Sequence, residues 1–111
     1  MNEIWLEVQH APRYSVSSLG RVRNNETGLI LKGGLTRGYR QVTLKYQGKT
    51  YQSYVHILVA SEFLTRTSKD HEVNHIDGDI LNNAVTNLEW VTHKENMQHG
   101  WSSGLMDGAS L

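Results

Sequence analysis

The stretch Glu72-Val73-Asn74-His75-Ile76, followed at once by Asp77-Gly78-Asp79, decides how the rest of this chain is read. The first five residues predict a short strand, and Asp-Gly-Asp is a turn signature that stops it. A loop holding Asn82, Asn83 and Asn87 comes next, and Leu88-Glu89-Trp90-Val91 reads as a second strand. Thr92-His93-Lys94-Glu95 matches a capping box: the Thr side chain satisfies a free helix amide and the Glu reaches back. A short helix is therefore expected to run to about His99 and to end at Gly100. Two strands, a loop and a capped helix make a β-β-α unit. Such a unit closes on itself, so a sequence separation of 21 from His75 to Asn96 need not mean distance in space.

Working toward the N-terminus, Val55 to Leu64 has no turn residue and is apolar enough for a buried helix, and Thr65 to Asp70 is a polar connection. Residues 1–54 read as β structure punctuated by turns. Tyr14-Ser15-Val16 and Gly20-Arg21-Val22-Arg23 predict short strands, Thr27-Gly28 leads into Leu29-Ile30-Leu31, and Gly33-Gly34 breaks that run. Tyr39 to Tyr46 alternates, with Gln41, Thr43 and Lys45 opposite Val42, Leu44 and Tyr46. Gln47-Gly48 fits a two-residue hairpin turn that returns through Lys49 to Tyr54. One face of that ribbon would carry Arg40 or Lys45 among Gln and Thr, side chains able to contact phosphates and base edges. The whole predicts an α+β protein: a small antiparallel β-sheet module over 1–54, then a helix and a β-β-α unit over 55–100. Residues 101–111, with Gly104 and Gly108 and no periodicity, predict a poorly ordered tail.

Formal net charge is zero over 111 residues, yet the charges are split. Residues 1–54 hold eight basic side chains against three acidic ones, and residues 55–111 hold three basic against eight acidic. The first half suits a polyanion and the second a cation. The longest apolar run, Ile57 to Ala60, cannot cross a bilayer, and the N-terminus has neither the basic start nor the apolar core of a secretion signal. With no cysteine there is no disulfide and no thiolate zinc site. These absences fit a cytoplasmic protein, in the host cytoplasm if a phage encodes it.

Phosphodiester cleavage needs an activated water and relief of the charge that develops on the phosphate and the leaving oxygen. A neutral imidazole, with an ordinary pKa of about 6.5, supplies the first near neutrality. A hard cation held by a few oxygen ligands supplies the second. His75 can be the base, while Asn74 and Asn96 can each present an amide oxygen.

At these residues the chain resembles a known family. Asn74-His75-Ile76-Asp77-Gly78, then Asn82-Asn83, then Asn87 to Thr92, then Asn96, is similar to the HNH nuclease motif of phage and intron homing endonucleases. Val55 to Ala60 resembles the segment that precedes the motif. Glu3-Ile4-Trp5 and Tyr14 to Val22 resemble the small DNA-binding module often fused to these nucleases. The resemblance covers roughly residues 3–99.

It implies that His75 is the general base, and that Asn87 pins the loop and orients the imidazole. It further implies that the β-β-α unit is a metal finger in which Asn96 and Asn74 hold one Mg²⁺ or Mn²⁺, and that double-stranded DNA is the substrate. Asn74 departs from the carboxylate form of the motif, and a neutral amide should bind metal more weakly. Asp77 can compensate, or can serve only the turn. Arg21, Arg23, Arg37 and Arg40 lead the candidates for phosphate contact, with Lys45 on the ribbon. His56 is open between a structural hydrogen bond and the substrate phosphate. Asn82 and Asn83 read as turn formers and Trp90 as core. Tyr39, Tyr46, Tyr51 and Tyr54 read mainly as packing, and His10, His71, His93 and His99 as solvated. Two rivals stand beside the nuclease: a DNA-binding protein with a decayed site, and a nuclease that needs a phage partner. A homodimer would be one route to cutting both strands.

Overall fold

Alternation and tight turns organise the first half of the chain. The computed structural model describes residues 2–66 and 71–97. Strands β1 (Trp5–Glu7), β2 (Tyr14–Ser17) and β3 (Val22–Asn24) form one antiparallel sheet in that order. A second antiparallel sheet contains β4 (Gly34–Thr36), β5 (Tyr39–Tyr46) and β6 (Lys49–Tyr54). Along β5, Val42 and Leu44 are buried while Thr43 and Lys45 are exposed, so the period of two read from the sequence sets the face. Gln47 and Gly48 both have positive φ, 49° and 76°, as a two-residue turn matched to strand twist requires. Arg37 and Gly38, at 55° and 86°, close β4 onto β5 in the same way.

Helix α1 (Val55–Phe63) follows β6 without a loop and packs against both sheets. Val55, His56, Leu58, Val59 and Ala60 are buried on it, whereas Ile57 and Ser61 are exposed. Its first turn has no side-chain cap. Strands β7 (His71–His75) and β8 (Leu88–Thr92) form an antiparallel pair in which Asn74 faces Glu89 and His75 faces Leu88. Residues 93–97 are helical and make α2. Its capping box is present: the Thr92 amide donates to Glu95 Oε1 at 2.9 Å, and the Glu95 amide donates to Thr92 Oγ1 at 3.1 Å. The expected helix end at His99–Gly100 and the tail lie outside the described residues.

One core serves all these elements. Val8, Val16, Val22, Val42, Leu44, Val55, Val59 and Leu88 belong to a single buried cluster, drawn from both sides of residue 55. Each such side chain contributes about 1.5–3 kcal/mol relative to exposure.

Several sequence expectations need correction. Leu29–Leu31 is not a strand: Ile30 makes only an isolated bridge to Arg23. The strand comes after the glycines, at Gly34–Thr36, because the Arg37-Gly38 turn folds that segment back onto β5. The strand expected at 20–23 runs instead from Val22 to Asn24, since Gly20 belongs to the preceding turn. Trp5–Glu7, not foreseen as a strand, pairs with Ser15–Ser17.

Candidate active site

His75 ends β7 with its side chain 6% exposed, and Asn83 beside it is also 6% exposed. Asn83 Oδ1 lies 2.9 Å from His75 Nε2. An amide oxygen only accepts, so this contact favours the tautomer with the proton on Nε2 and none on Nδ1. Asn83 is therefore no mere turn former, which corrects the sequence reading. Nothing in the run Asn82-Asn83-Ala84 distinguishes the second asparagine from the first. Only the loop's path turns one inward.

That path is set by Asn87. Its Oδ1 accepts from the Asp77 amide at 3.0 Å, and its Nδ2 donates to Asp77 Oδ1 and to the Asn82 carbonyl, both at 2.9 Å. The Asn87 carbonyl accepts from the Ile76 amide at 2.8 Å, one residue past His75. Asn87 thus ties together the two ends of the loop between β7 and β8, while the direct contact to the imidazole comes from Asn83.

Asp77 Oδ1 also accepts from the Asp79 amide at 2.8 Å, and Oδ2 accepts from Asn82 Nδ2 at 2.9 Å. These contacts, the Asn82 amide foremost, hold its carboxyl below the usual 3.8. Both of its oxygens are spent on the loop, so the geometry favours the turn reading of Asp77.

A second cluster lies on the hairpin and α2. Asn74 Nδ2 donates to Glu89 Oε2 at 2.8 Å, across the β7–β8 pair. Asn96 Nδ2 donates to Glu72 Oε1, also at 2.8 Å. Glu72 and Asn74, two apart on one strand, share a face. Reversing either amide would set oxygen against carboxylate oxygen, so the carboxylates fix both Oδ1 atoms on the side away from themselves. His93 Nδ1 lies 3.1 Å from Glu72 while its side chain stays 75% exposed, so His93 is solvated as expected but has a partner. Among the described residues no three histidine or carboxylate side chains converge on one point. A cation here would draw on amide oxygens, with two carboxylates next to them. That is an oxygen-rich donor set of the kind hard cations take.

On the other side of the base stand aromatic rings. His56 lies 5.0 Å from His75 between ring centroids, and Tyr39 lies 5.0 Å from His56 and 6.1 Å from His75. His56 is 8% exposed and its Nδ1 is buried without a hydrogen-bond partner. Burial, reinforced by the neighbouring His75, lowers its pKa from 6.5 to about 4, so it is neutral near pH 7. Tyr39 accordingly does more than pack, since it lines the site.

The basic residues are dispersed. Arg21, Lys32 and Arg40 line one surface cleft floored by Val22, Leu31 and Val55. Arg21 makes a two-point ion pair with Glu3, one arm of it 2.8 Å from Nε to Oε2, and the pair holds Glu3 down at about 2. Arg21 and Arg23 lie over the Trp5 ring, at 5.4 and 4.1 Å from its centroid. Arg40 donates to the Lys32 carbonyl at 3.1 Å. Arg37 at its hairpin tip and Lys45 near the other end of β5 are about 25 Å apart at roughly 3.3 Å per residue. Elsewhere, His10 packs edge-on to Tyr51, and partly buried Trp90 donates to the Ala60 carbonyl at 3.2 Å.

This site, on a β-β-α hairpin carrying Asn-His on one strand and Asn on the helix, defines an HNH-type centre. The chain carries an HNH endonuclease domain preceded by a NUMOD4 motif: residues 53–98 match the HNH endonuclease model, and residues 3–45 match the NUMOD4 motif. It is 34% identical over 105 residues to the DNA endonuclease I-HmuI of Bacillus phage SP01, covering 93% of this chain and 60% of that protein. The solved structure describing DNA binding and cleavage by the HNH homing endonuclease I-HmuI superposes with a TM-score of 0.86 at 33% identity, over 96% of this chain and 63% of that one. A prophage-derived putative HNH homing endonuclease of Bacillus subtilis, YosQ, is 43% identical over 93 residues, or 75% of this chain and 54% of its own length. The uncharacterized HNH endonuclease L245 of Acanthamoeba polyphaga mimivirus is 37% identical over 101 residues, or 91% and 31%. The chain thus spans from about a third to three fifths of the length of these relatives. No helix among the described residues is long and apolar enough to cross a membrane.

Proposed function

We propose that this chain hydrolyses DNA phosphodiester bonds with His75 as general base and one divalent cation, Mg²⁺ or Mn²⁺. The observation that carries this reading is the Asn83–His75 contact: with the Asn83 amide oxygen as acceptor it favours the tautomer that has its proton on Nε2, which leaves Nδ1 to accept a proton from the attacking water. When bound, a hard cation relieves the charge on the phosphate and leaving oxygen. Asn74 and Asn96 would hold it through Oδ1, with Glu89 and Glu72 orienting the amides. His56, neutral near pH 7, stands beside His75 and is a candidate to meet the substrate phosphate. Arg23, Arg37, Arg40 and Lys45 supply sequence-independent contacts to phosphates. Arg21 contributes only as far as its pairing with Glu3 allows.

A second reading, a DNA-binding protein that does not cut, is favoured by one observation: position 74 carries an amide where a carboxylate would bind metal more tightly. A supercoiled plasmid incubated with Mg²⁺, Mn²⁺ or EDTA separates the two. Metal-dependent nicking or linearisation that disappears in His75→Ala supports the nuclease. DNA binding without cleavage under any of these metals supports the second reading.

A further inference from the structure

Two contacts tie the N-terminal half of the chain to the loop that holds the base. The Val85 amide donates to the Ser18 carbonyl at 2.9 Å, at the start of the 3-10 turn that carries Asn87. Gly20 stands directly against Asn83: a Cβ at Gly20 would lie 2.8 Å from the Asn83 carbonyl carbon and oxygen and 2.9 Å from its Cβ. No side chain fits in that space.

The turn making this contact is itself firmly built. Ser17 is fully buried, and its Oγ accepts from the Leu19 amide at 3.2 Å and the Arg21 amide at 3.0 Å. The Gly20 amide donates to the Ser17 carbonyl at 2.9 Å. Ser18 is tied to β1 through the Ile4 amide at 3.0 Å and the Ile4 carbonyl at 2.8 Å. Asn83 is thus clamped between this turn and the imidazole it holds.

We propose that the turn 17–20 is a positioning element for His75, acting through Asn83. Residues 1–54 are then part of the catalytic apparatus as well as a DNA-binding surface. The proposal rests on the reading of His75 as the base, but its core, that Gly20 sets the ring's tautomer, is separable from that reading.

The test uses the full chain. Two-bond ¹H–¹⁵N correlation spectra at pH 8 report which imidazole nitrogen carries the proton, with His75 assigned by difference against His75→Gln. Wild type should show Nε2–H at His75. Gly20→Ala should give a mixture of tautomers, and a single-turnover cleavage rate lowered about 10- to 100-fold. Its affinity for a short DNA duplex in EDTA should stay within about twofold of wild type.

Gly28→Ala is the control, because Gly28 has a similar φ of 76° against 88° for Gly20, yet nothing lies within 4 Å of its Cβ position. It carries the same backbone strain without touching the loop and should leave the tautomer unchanged. Ser17→Ala, which loosens the turn and adds no atom, decides the matter if Gly20→Ala does not fold; it should move the tautomer in the same direction, by less. An unchanged tautomer in folded Gly20→Ala or Ser17→Ala, or an equal change in Gly28→Ala, overturns the proposal. Absence of cleavage by wild type defeats the base assignment alone, since the tautomer arm still reads the coupling.

Discussion

Asn83 places its amide oxygen 2.9 Å from Nε2 of His75, and both side chains are 6% exposed, so water competes little for the contact. A buried hydrogen bond of this kind fixes a ring orientation that an exposed one would leave to solvent. Asn83→Ala is expected to lower the single-turnover rate about 10- to 100-fold, or about 1.4–2.7 kcal/mol of transition-state stabilisation. Affinity for duplex DNA should hold, because Asn83 is buried. Asn82→Ala, which removes only the contact to Asp77 and a long one to Ala84, should cost much less. Parallel rate and binding titrations on the two variants check this, and equal losses would remove Asn83's special role.

Asn87 acts on stability before it acts on rate. Truncating it leaves the Asp77 amide and the Asn82 carbonyl without partners in a half-buried loop. Asn87→Ala should cost about 2–3 kcal/mol. For a domain of this size that lowers Tm by roughly 10–20 °C, readable by calorimetry. Part of the loss depends on pH. Asp77 is held below 3.8, so its stabilising contribution is complete above that value and disappears as pH falls through its lower folded-state pKa. The gap between wild type and Asn87→Ala should therefore narrow only in that acidic range.

His56 carries the opposite consequence of burial. Its folded-state pKa of about 4 lies below the ordinary 6.5, so the unfolded chain binds a proton that the folded chain refuses. The folded state has its full advantage above pH 6.5 and loses it as pH falls from 6.5 toward 4. The loss approaches about 3 kcal/mol at the lower end. Urea midpoints of wild type should fall across that window, and those of His56→Phe should stay nearly flat. A flat wild-type profile would show that His56 is protonated at little cost.

How much of this was legible beforehand depends on how local the determinant is. The capping box at Thr92–Glu95, the Gln47-Gly48 turn and helix α1 follow from a few adjacent residues, and each is where the sequence places it. Strand β1 was hidden because Trp5–Glu7 has no period of its own; its partner, Ser15–Ser17, confers it. Strand β4 was misplaced since the apolar run Leu29–Leu31 looked stronger than Gly34–Thr36, although the Arg37-Gly38 turn selects the latter. Of the residues proposed for the site, Asn74, His75, Asn87 and Asn96 were findable by motif. Asn83 was not, because its role arises from the inward course of a loop held 10 residues apart by Asp77 and Asn87. The pairing of Arg21 with Glu3 was equally invisible, as 18 residues separate them.

Position 74 offers the test of how this site makes do without a third carboxylate. In wild type the Asn74 amide nitrogen bonds Glu89 Oε2 at 2.8 Å, so the neutral side chain and the carboxylate stabilise each other with no metal present. Asn74→Asp turns that donor into a second anion and sets two carboxylates side by side in a buried position. In EDTA the variant should therefore melt below wild type, and the deficit should shrink at acidic pH, where one of the two can take a proton. A divalent cation reverses the sign, because it gains a full charge among its donors and neutralises the repulsion. Mn²⁺ titrated by calorimetry should bind Asn74→Asp at least about tenfold more tightly than wild type. Its addition should raise the variant's Tm by more than it raises that of wild type, as linkage requires. Were Mn²⁺ to bind both proteins alike, or neither, Asn74 would not be a ligand, and the amide oxygens on this hairpin face would need another role.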